Sequence, residues 1–421
     1  MKLHNTEEKI SRVVIAGIHT GNRPEIDDCT EKSLDELELL VQTAGAQCVG
    51  RFVQNKPGFE PGTYIGEGKA NEIRLFCHDN DVDIAVFDDE LTGTQIRNLE
   101  ELLDVRVMDR SSLILDIFAQ RAKTSEGKLQ VELAQLRYYL SRLTGSFVRL
   151  SRLGGGIGTR GPGETKLETD RRHIRNKISI LKSQLDEVEK NRATQRKKRV
   201  KDGILQIAVV GYTNAGKSTL LNYLTDAGVL AEDKLFATLD PTSRKLTLPD
   251  GTNAVLTDTV GFIRKLPHHL INAFKSTLEE AVNADVLIHV VDVTADDMTD
   301  NMEVAEKLLS HLGADGKPIV TVFNKCDGNV PDITPRRENS VFISAKTGEN
   351  VDRLMQLVTE VSPNLRSRIT VVIPYSEGNL LPLIHNEAHI VSEQHTESGT
   401  MLEIIADDKL KGMVSDYIIQ L

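Results

Sequence analysis

Residues 203–210, Gly-Ile-Leu-Gln-Ile-Ala-Val-Val, run directly into Gly211-Tyr212-Thr213-Asn214-Ala215-Gly216-Lys217-Ser218-Thr219, and this junction constrains the fold more than any other stretch. The first part is a short apolar run rich in β-branched residues and reads as a strand. The second has the spacing of a loop that wraps phosphate. Its glycines let backbone N–H groups curl around phosphate oxygens, Lys217 reaches the β- and γ-phosphates, and Ser218 offers a hydroxyl to Mg²⁺. Residues 219–224, Thr-Leu-Leu-Asn-Tyr-Leu, read as the helix whose positive N-terminal end points at the anion. A chance glycine-rich turn is the alternative, and it gives no reason for strand and helix to flank the loop on the required sides.

Four further elements follow. Asp258-Thr259-Val260-Gly261 comes after the strand-like residues 254–257, so Asp258 at the strand end can support a Mg²⁺ shell while Gly261 offers its N–H to the γ-phosphate. Asn324-Lys325-Cys326-Asp327 follows the apolar run 319–323, and the Asp327 carboxylate can accept from guanine N1–H and N2–H₂, a pair that adenine does not present. Ser344-Ala345-Lys346 follows residues 341–343 and would close over the base. Between the first two elements lies Phe236-Ala237-Thr238-Leu239-Asp240, where Thr238 would complete the Mg²⁺ shell only when the γ-phosphate is present. Each later element alone is weak, but the set in this order resembles the GTPase superfamily. That resemblance implies GTP and GDP as ligands, Mg²⁺ held by Ser218 and Thr238 with Asp258 behind them, and Lys217, Thr238 and Gly261 acting on the reacting phosphate.

At 421 residues and 46.6 kDa the chain is too long for one compact domain. No apolar run approaches the roughly 18 residues of a membrane span, and the start Met1-Lys2-Leu3-His4-Asn5 lacks the apolar core of a signal peptide, so a cytoplasmic location is expected. Cys29, Cys48, Cys77 and Cys326 are scattered and suggest neither a zinc site nor a disulfide framework. The charge is uneven. Residues 149–201 hold 16 Lys and Arg against 6 Asp and Glu, a net +10, within a chain of net −11, so the remainder sums to −21. An acidic body is repelled by nucleic acid and needs a local basic arm to engage it. Taken alone, the Lys/Arg run at 196–201 reads as a solvated helical face.

From the start of the chain, residues 12–18 read as a strand and residues 33–41 as a helix with a Ser33-x-x-Glu36 capping box, ended by Gly45. Strands at 46–53, 84–87 and 105–108 alternate with helices at 68–77 and 95–103, and a helix at 111–121 leads out. The alternation argues a small parallel α/β domain over residues 1–110. Its unusual loop, Tyr64-Ile65-Gly66-Glu67-Gly68-Lys69, reads as a turn with a helix cap, with a second anion or nucleotide site as the alternative. Leu129, Leu133, Leu136, Leu140 and Leu143 keep a 4-3-4-3 spacing, as do Ile174, Ile178, Leu181, Leu185 and Val188, which predicts an antiparallel helical hairpin within residues 111–202. The connecting stretch is rich in glycine and carries Arg149, Arg152, Arg160 and Lys166. Its mobile backbone and guanidinium forks suit RNA phosphate contact better than a plain linker, because a linker does not need two apolar helices to present it. With Phe147 its only aromatic, it suits phosphate and shape contact rather than base stacking. After the nucleotide-binding domain of residues 203–364, whose last helix is 351–361, strands at 369–373, 388–391 and 400–405 and a helix at 410–419 predict a small α+β domain over 365–421.

The N-terminal Tyr64-Ile65-Gly66-x-Gly68-Lys69, the hairpin loop ending Gly161-Pro162-Gly163-Glu164-Thr165, and Phe236-Ala237-Thr238-Leu239-Asp240 together resemble HflX, a family of ribosome-associated GTPases, over about residues 10–365. The resemblance implies a cytoplasmic, monomeric bacterial protein that binds the large (50S) ribosomal subunit and its rRNA, splits stalled or idle ribosomes under stress or assists their biogenesis, and probes rRNA with the hairpin tip. Two departures bear on mechanism. Where Ras-like enzymes place a water-orienting glutamine, this chain has Phe262, which reads as a packing anchor and implies slow hydrolysis alone and faster hydrolysis on the ribosome. Asn214 matches an asparagine that binds K⁺ in related GTPases, and phosphate contact or loop shaping is an equal alternative. An RNA-remodelling ATPase working through the 66–69 loop and a ribosome-assembly switch are the competing functions.

Overall fold

The structure, a computed structural model, describes residues 10–21, 30–143, 162–201, 204–225, 235–236, 238–265, 275–314, 316–328, 337–363 and 366–419. The chain forms two compact units. The first comprises Met1–Lys190, Glu232–Asp240 and Val260–Thr277, the second Asn191–Ala231, Pro241–Thr259 and Leu278–Leu421.

In the first unit, strands β1 (Arg12–His19), β2 (Gln47–Asn55), β3 (Ile84–Phe87) and β4 (Arg106–Asp109) form an all-parallel sheet in the order β2-β1-β3-β4. Parallel neighbours need crossovers, supplied by helices α1 (Thr30–Thr43), α2 (Glu67–Asp79) and α3 (Gly93–Leu103), with α4 (Arg110–Arg121) leading out. One core joins Val14, Ala16 and Phe87 of the sheet to Ile73, Leu99 and Leu103 of the helices. Helix α1 begins at or before Thr30, so the expected capping box at Ser33 is not there. Ser33 and Glu36 are buried and serve tertiary contacts instead: Ser33 Oγ donates to Asp88 (2.7 Å), and Glu36 accepts from Arg110 (2.6 Å). A capping box does exist one helix pair later, where Thr92 and Gln95 bond reciprocally at the start of α3.

Arg110 sits at the centre of a buried ionic cluster. Its guanidinium, 2 % exposed, donates to Asp88 (2.8 Å), to Glu36, and to the carbonyls of Ser33 and Arg264. Lys265 Nζ meets Asp88 (2.5 Å) and Asp89 (3.1 Å), so residues 264–265 are bound at the carboxyl end of the interior strand β3. Burial alone would raise the Asp88 carboxyl, but the Arg110 and Lys265 charges more than offset it and hold it below the ordinary value. In the 64–69 loop, Tyr64 and Ile65 are core residues, the Gly66 N–H donates to Gln54 (2.9 Å), and Lys69 pairs with Glu72 (2.7 Å). These partners favour the turn and cap over a second nucleotide site.

Helices α5 (Ser125–Leu143) and α6 (Pro162–Lys201) pack through the expected seam: Leu133, Ile178 and Leu181 are buried, with Leu129, Leu136, Leu140, Ile174 and Leu185 against them. Lys177 pairs with Glu132 (2.5 Å) and Arg171 donates to the Leu143 carbonyl (3.4 Å), which makes the pair antiparallel.

In the second unit, β5 (Leu205–Gly211), β6 (Thr242–Thr247), β7 (Asn253–Asp258), β8 (Val286–Asp292), β9 (Ile319–Asn324) and β10 (Ser340–Phe342) form one sheet ordered β10-β9-β8-β5-β7-β6. Only β6 runs antiparallel to its neighbour. Helices α7 (Lys217–Thr225), α8 (Lys275–Asn283), α9 (Met298–His311) and α10 (Val351–Val361) alternate with the strands, and a core of Leu205, Ile207, Val209, Ile288, Val322 and Leu354 fills the space between sheet and helices. The chain ends in an antiparallel sheet ordered β12-β13-β11-β14, made of β11 (Arg366–Ile373), β12 (His389–Thr396), β13 (Gly399–Asp407) and β14 (Ile418–Ile419), with helices α11 (Leu380–Glu387) and α12 (Asp408–Met413). The helix expected over 410–419 therefore stops at Met413. Gly412 weakens it, and Ile418 and Ile419 pair with Val371 and Thr370, which closes an otherwise open edge of β11. No helix among the described residues is long and apolar enough to cross a membrane.

Candidate nucleotide site

The site in the second unit gathers at the carboxyl ends of β5, β7 and β9, where an α/β sheet opens a crevice. Gly211 and Gly216 shape the phosphate loop with φ of +147° and +97°, and a Cβ on either would collide, with the Val290 carbonyl or with Asn324 Nδ2. Asn214 also has positive φ, +61°, a region asparagine tolerates. That conformation is compatible with loop shaping and does not decide between it and a K⁺ contact. Ala215 and Thr213 are buried, Tyr212 and Thr219 half-buried. Lys217, at the start of α7, is 6 % exposed and its Nζ donates to the Tyr212 carbonyl at 2.7 Å. Burial lowers its ammonium pKa to about 8, with Asp258 opposing the shift.

Asp258 ends β7 fully buried and accepts from Ser218 Oγ at 2.7 Å. A hydroxyl and a carboxylate converging on one point beside the phosphate loop are hard oxygen donors that fit Mg²⁺. Thr259 is buried and ties the end of β7 to β5 through its hydroxyl on the Val209 carbonyl (2.7 Å).

The end of the candidate site at β9 is built on Asn324. Its Nδ2 donates to the Ala215 carbonyl (2.8 Å) and its Oδ1 accepts from the Ala345 N–H (2.9 Å), so one side chain fixes the phosphate loop and the Ser344-Ala345-Lys346 loop together. Asp327 is exposed and accepts from Ser344 Oγ (2.8 Å), a bond that is the main cause of its lowered carboxyl pKa. It is therefore an anion near neutral pH. The Cys326 N–H donates to the Ile343 carbonyl (3.1 Å), and Lys346 is exposed. Lys325 has φ of +69°, and its ammonium pairs with Asp292 at 2.7 Å. Asp292, at the end of β8, is a partner of the candidate site that the sequence did not announce: the apolar run 286–291 before it is a strand signal, but no motif marks the aspartate.

The remaining expected residues belong to the first unit. Phe236 and Leu239 are buried, Thr238 is half-buried, and Asp240 accepts from the backbone N–H groups of Lys123 and Thr124 (2.8 and 2.9 Å). Val260 and Gly261 are buried, and Phe262 is 1 % exposed, as a packing anchor requires. Ala237, Arg149, Arg152 and Arg160 lie outside the described residues. Lys166 falls in α6, with its side chain also outside the description.

Three family descriptions match in sequence: "GTP-binding GTPase N-terminal" over residues 31–119, "GTP-binding GTPase Middle Region" over 121–199, and "50S ribosome-binding GTPase" over 206–325. The chain is 50% identical to GTPase HflX of Caldanaerobacter subterraneus over 92% of this chain and 91% of that one. It is 49% identical to GTPase HflX of Lacrimispora saccharolytica over 99% and 98%, and 44% identical to GTPase HflX of Escherichia coli over 88% of each. With a phosphate-type loop, a Ser218–Asp258 hydrogen bond beside it, and a match to these relatives along most or nearly all of its length, the chain belongs to the HflX family of GTPases.

Proposed function

We propose that this GTPase binds the large ribosomal subunit through the α5–α6 hairpin and uses GTP binding and hydrolysis to separate stalled or idle ribosomes, or to assist their assembly, in the cytoplasm and as a monomer. The observation that supports this most is the hairpin seam. Leu133, Ile178 and Leu181 join α5 and α6, and between those helices the sequence places Arg149, Arg152 and Arg160 within the only strongly basic window of an acidic chain. In this reading residues 1–110 and 203–364 are the supporting α/β domain and the engine, 111–202 the probe, and 365–421 an appended domain.

At the nucleotide, Lys217 contacts the β- and γ-phosphates, Asp327 accepts from the guanine edge, and Gly261 donates its N–H to the γ-phosphate. Ser218 and Thr238 would hold Mg²⁺ with Asp258 supporting its shell, and the bound ion would offset charge building on the phosphate oxygens. Phe262 supplies no hydrogen bond to an attacking water, so the free protein turns over slowly and the ribosome completes the site.

If the three arginines contact phosphates, each one lost reduces the salt slope of binding by about one unit. Changing Arg149, Arg152 and Arg160 together to alanine should therefore weaken association with the large subunit and flatten its salt dependence, while the GTP affinity of the free protein stays unchanged. Normal subunit binding by the triple variant, measured by co-sedimentation across a salt series, would refute the assignment of the hairpin.

A further inference from the structure

The segment carrying Thr238 is tied to the root of the hairpin rather than left as a loop. Phe236 packs edge-on against Phe118 of α4, ring centroids 4.6 Å apart, and Leu239 is buried. Asp240 then takes the start of α5. Its Oδ2 accepts from the N–H groups of Lys123 (2.8 Å) and Thr124 (2.9 Å), and its Oδ1 from the Thr124 hydroxyl. Thr124 is itself the cap of α5, because its Oγ1 accepts from the Gly127 N–H at 2.9 Å. Gly127 sits in the first turn of a helix, where glycine is a poor helix former, and it has a specific reason to be there: a Cβ would overlap Asp240 Oδ1.

We propose that Asp240 is a positioning residue for GTP hydrolysis: held in the notch at Gly127, it fixes Thr238 through the one intervening residue, the buried Leu239, and couples nucleotide state to the root of the α5–α6 hairpin. This rests on the reading above that Thr238 engages the nucleotide when the γ-phosphate is present. Coupling is reciprocal, so whatever orders Thr238 also orders the first turn of α5 by the same factor.

Gly127→Ala tests the hook from the helix side, since alanine favours the helix, lies outside the nucleotide motifs in sequence, and meets them only at Asp240 Oδ1. In the full-length protein, Gly127→Ala is expected to weaken binding of a non-hydrolysable GTP analogue about tenfold while GDP affinity stays the same, because GDP lacks the phosphate that engages Thr238. Hydrogen exchange of the amides at residues 123–127 gives a readout that a purely structural role would not move. In the unaltered protein they should be about tenfold more protected with the GTP analogue than with GDP, and in Gly127→Ala that difference should vanish. An unchanged analogue affinity in Gly127→Ala, where Thr238→Ala lowers it, overturns the hook alone. If Thr238→Ala also leaves the affinity unchanged, the assignment of Thr238 fails and the hook with it. No ribosome enters either measurement, so a failure of the hairpin's proposed RNA contact is separate from both outcomes.

Discussion

In the proposed function Lys217 and Asp327 divide the work of holding the nucleotide, and each role has a measurable signature. Burial lowers the Lys217 ammonium to about 8, and a neighbouring phosphate chain favours its charged form. Nucleotide binding should therefore take up protons above that pH, and affinity should fall as pH rises further. Calorimetry in two buffers of different ionisation enthalpy should show an uptake of roughly one proton at about pH 9 and almost none at about pH 6.5; buffer-independent heats at the higher pH would contradict it. Asp327 accepts two N–H donors of guanine in this account, so Asp327→Asn should cost about 2–5 kcal/mol of GTP binding and turn preference toward a xanthine nucleotide. Unchanged GTP affinity on titration would place guanine recognition elsewhere. Such residues were legible because their spacing in a short loop is itself the signal. Asp292 was not, because its partner Lys325 is met only when β8 and β9 lie side by side.

Among the elements, the ionic cluster at the carboxyl end of β3 ties α1, β3, α4 and residues 264–265 together around one guanidinium. Removing Arg110 leaves Asp88 and Glu36 buried with less compensation, so Arg110→Ala should destabilise the first unit by about 3–5 kcal/mol in chemical denaturation. A loss below about 1 kcal/mol would mean that water reaches these carboxylates. Asp88 has a depressed folded pKa, so its contribution is present above the ordinary value of 3.8 and is lost as pH falls through the lower folded value. The same cluster explains a misreading. Ser33-x-x-Glu36 has the pattern of a capping box, but both side chains point to partners more than fifty residues away, and burial outcompetes a local cap. Heptad spacing made the α5–α6 seam readable, whereas β6, Thr-Ser-Arg-Lys-Leu-Thr with no fully buried residue, offered no apolar run to find.

For the whole molecule, alternating strands and helices sufficed to give the α/β class, since parallel sheets covered by helices impose that pattern on any chain. Reading in chain order does not reveal that residues 232–240 and 260–277 group with the N-terminal body, because that grouping is made by Asp240, Phe236, Arg264 and Lys265 through space. Thr238 and Gly261 thus belong to the same unit as α5, and if they engage the γ-phosphate as proposed, nucleotide state and polyanion binding by the hairpin should bias each other. The most direct measurement is the sedimentation profile of intact ribosomes incubated with this protein and a non-hydrolysable GTP analogue, GDP or no nucleotide. The account predicts that the analogue shifts material from intact ribosomes to free subunits with the protein on the large subunit, that GDP does so weakly, and that the Arg149, Arg152, Arg160 triple alanine variant does neither. Equal profiles with the analogue and GDP, or splitting by the triple variant, would contradict it.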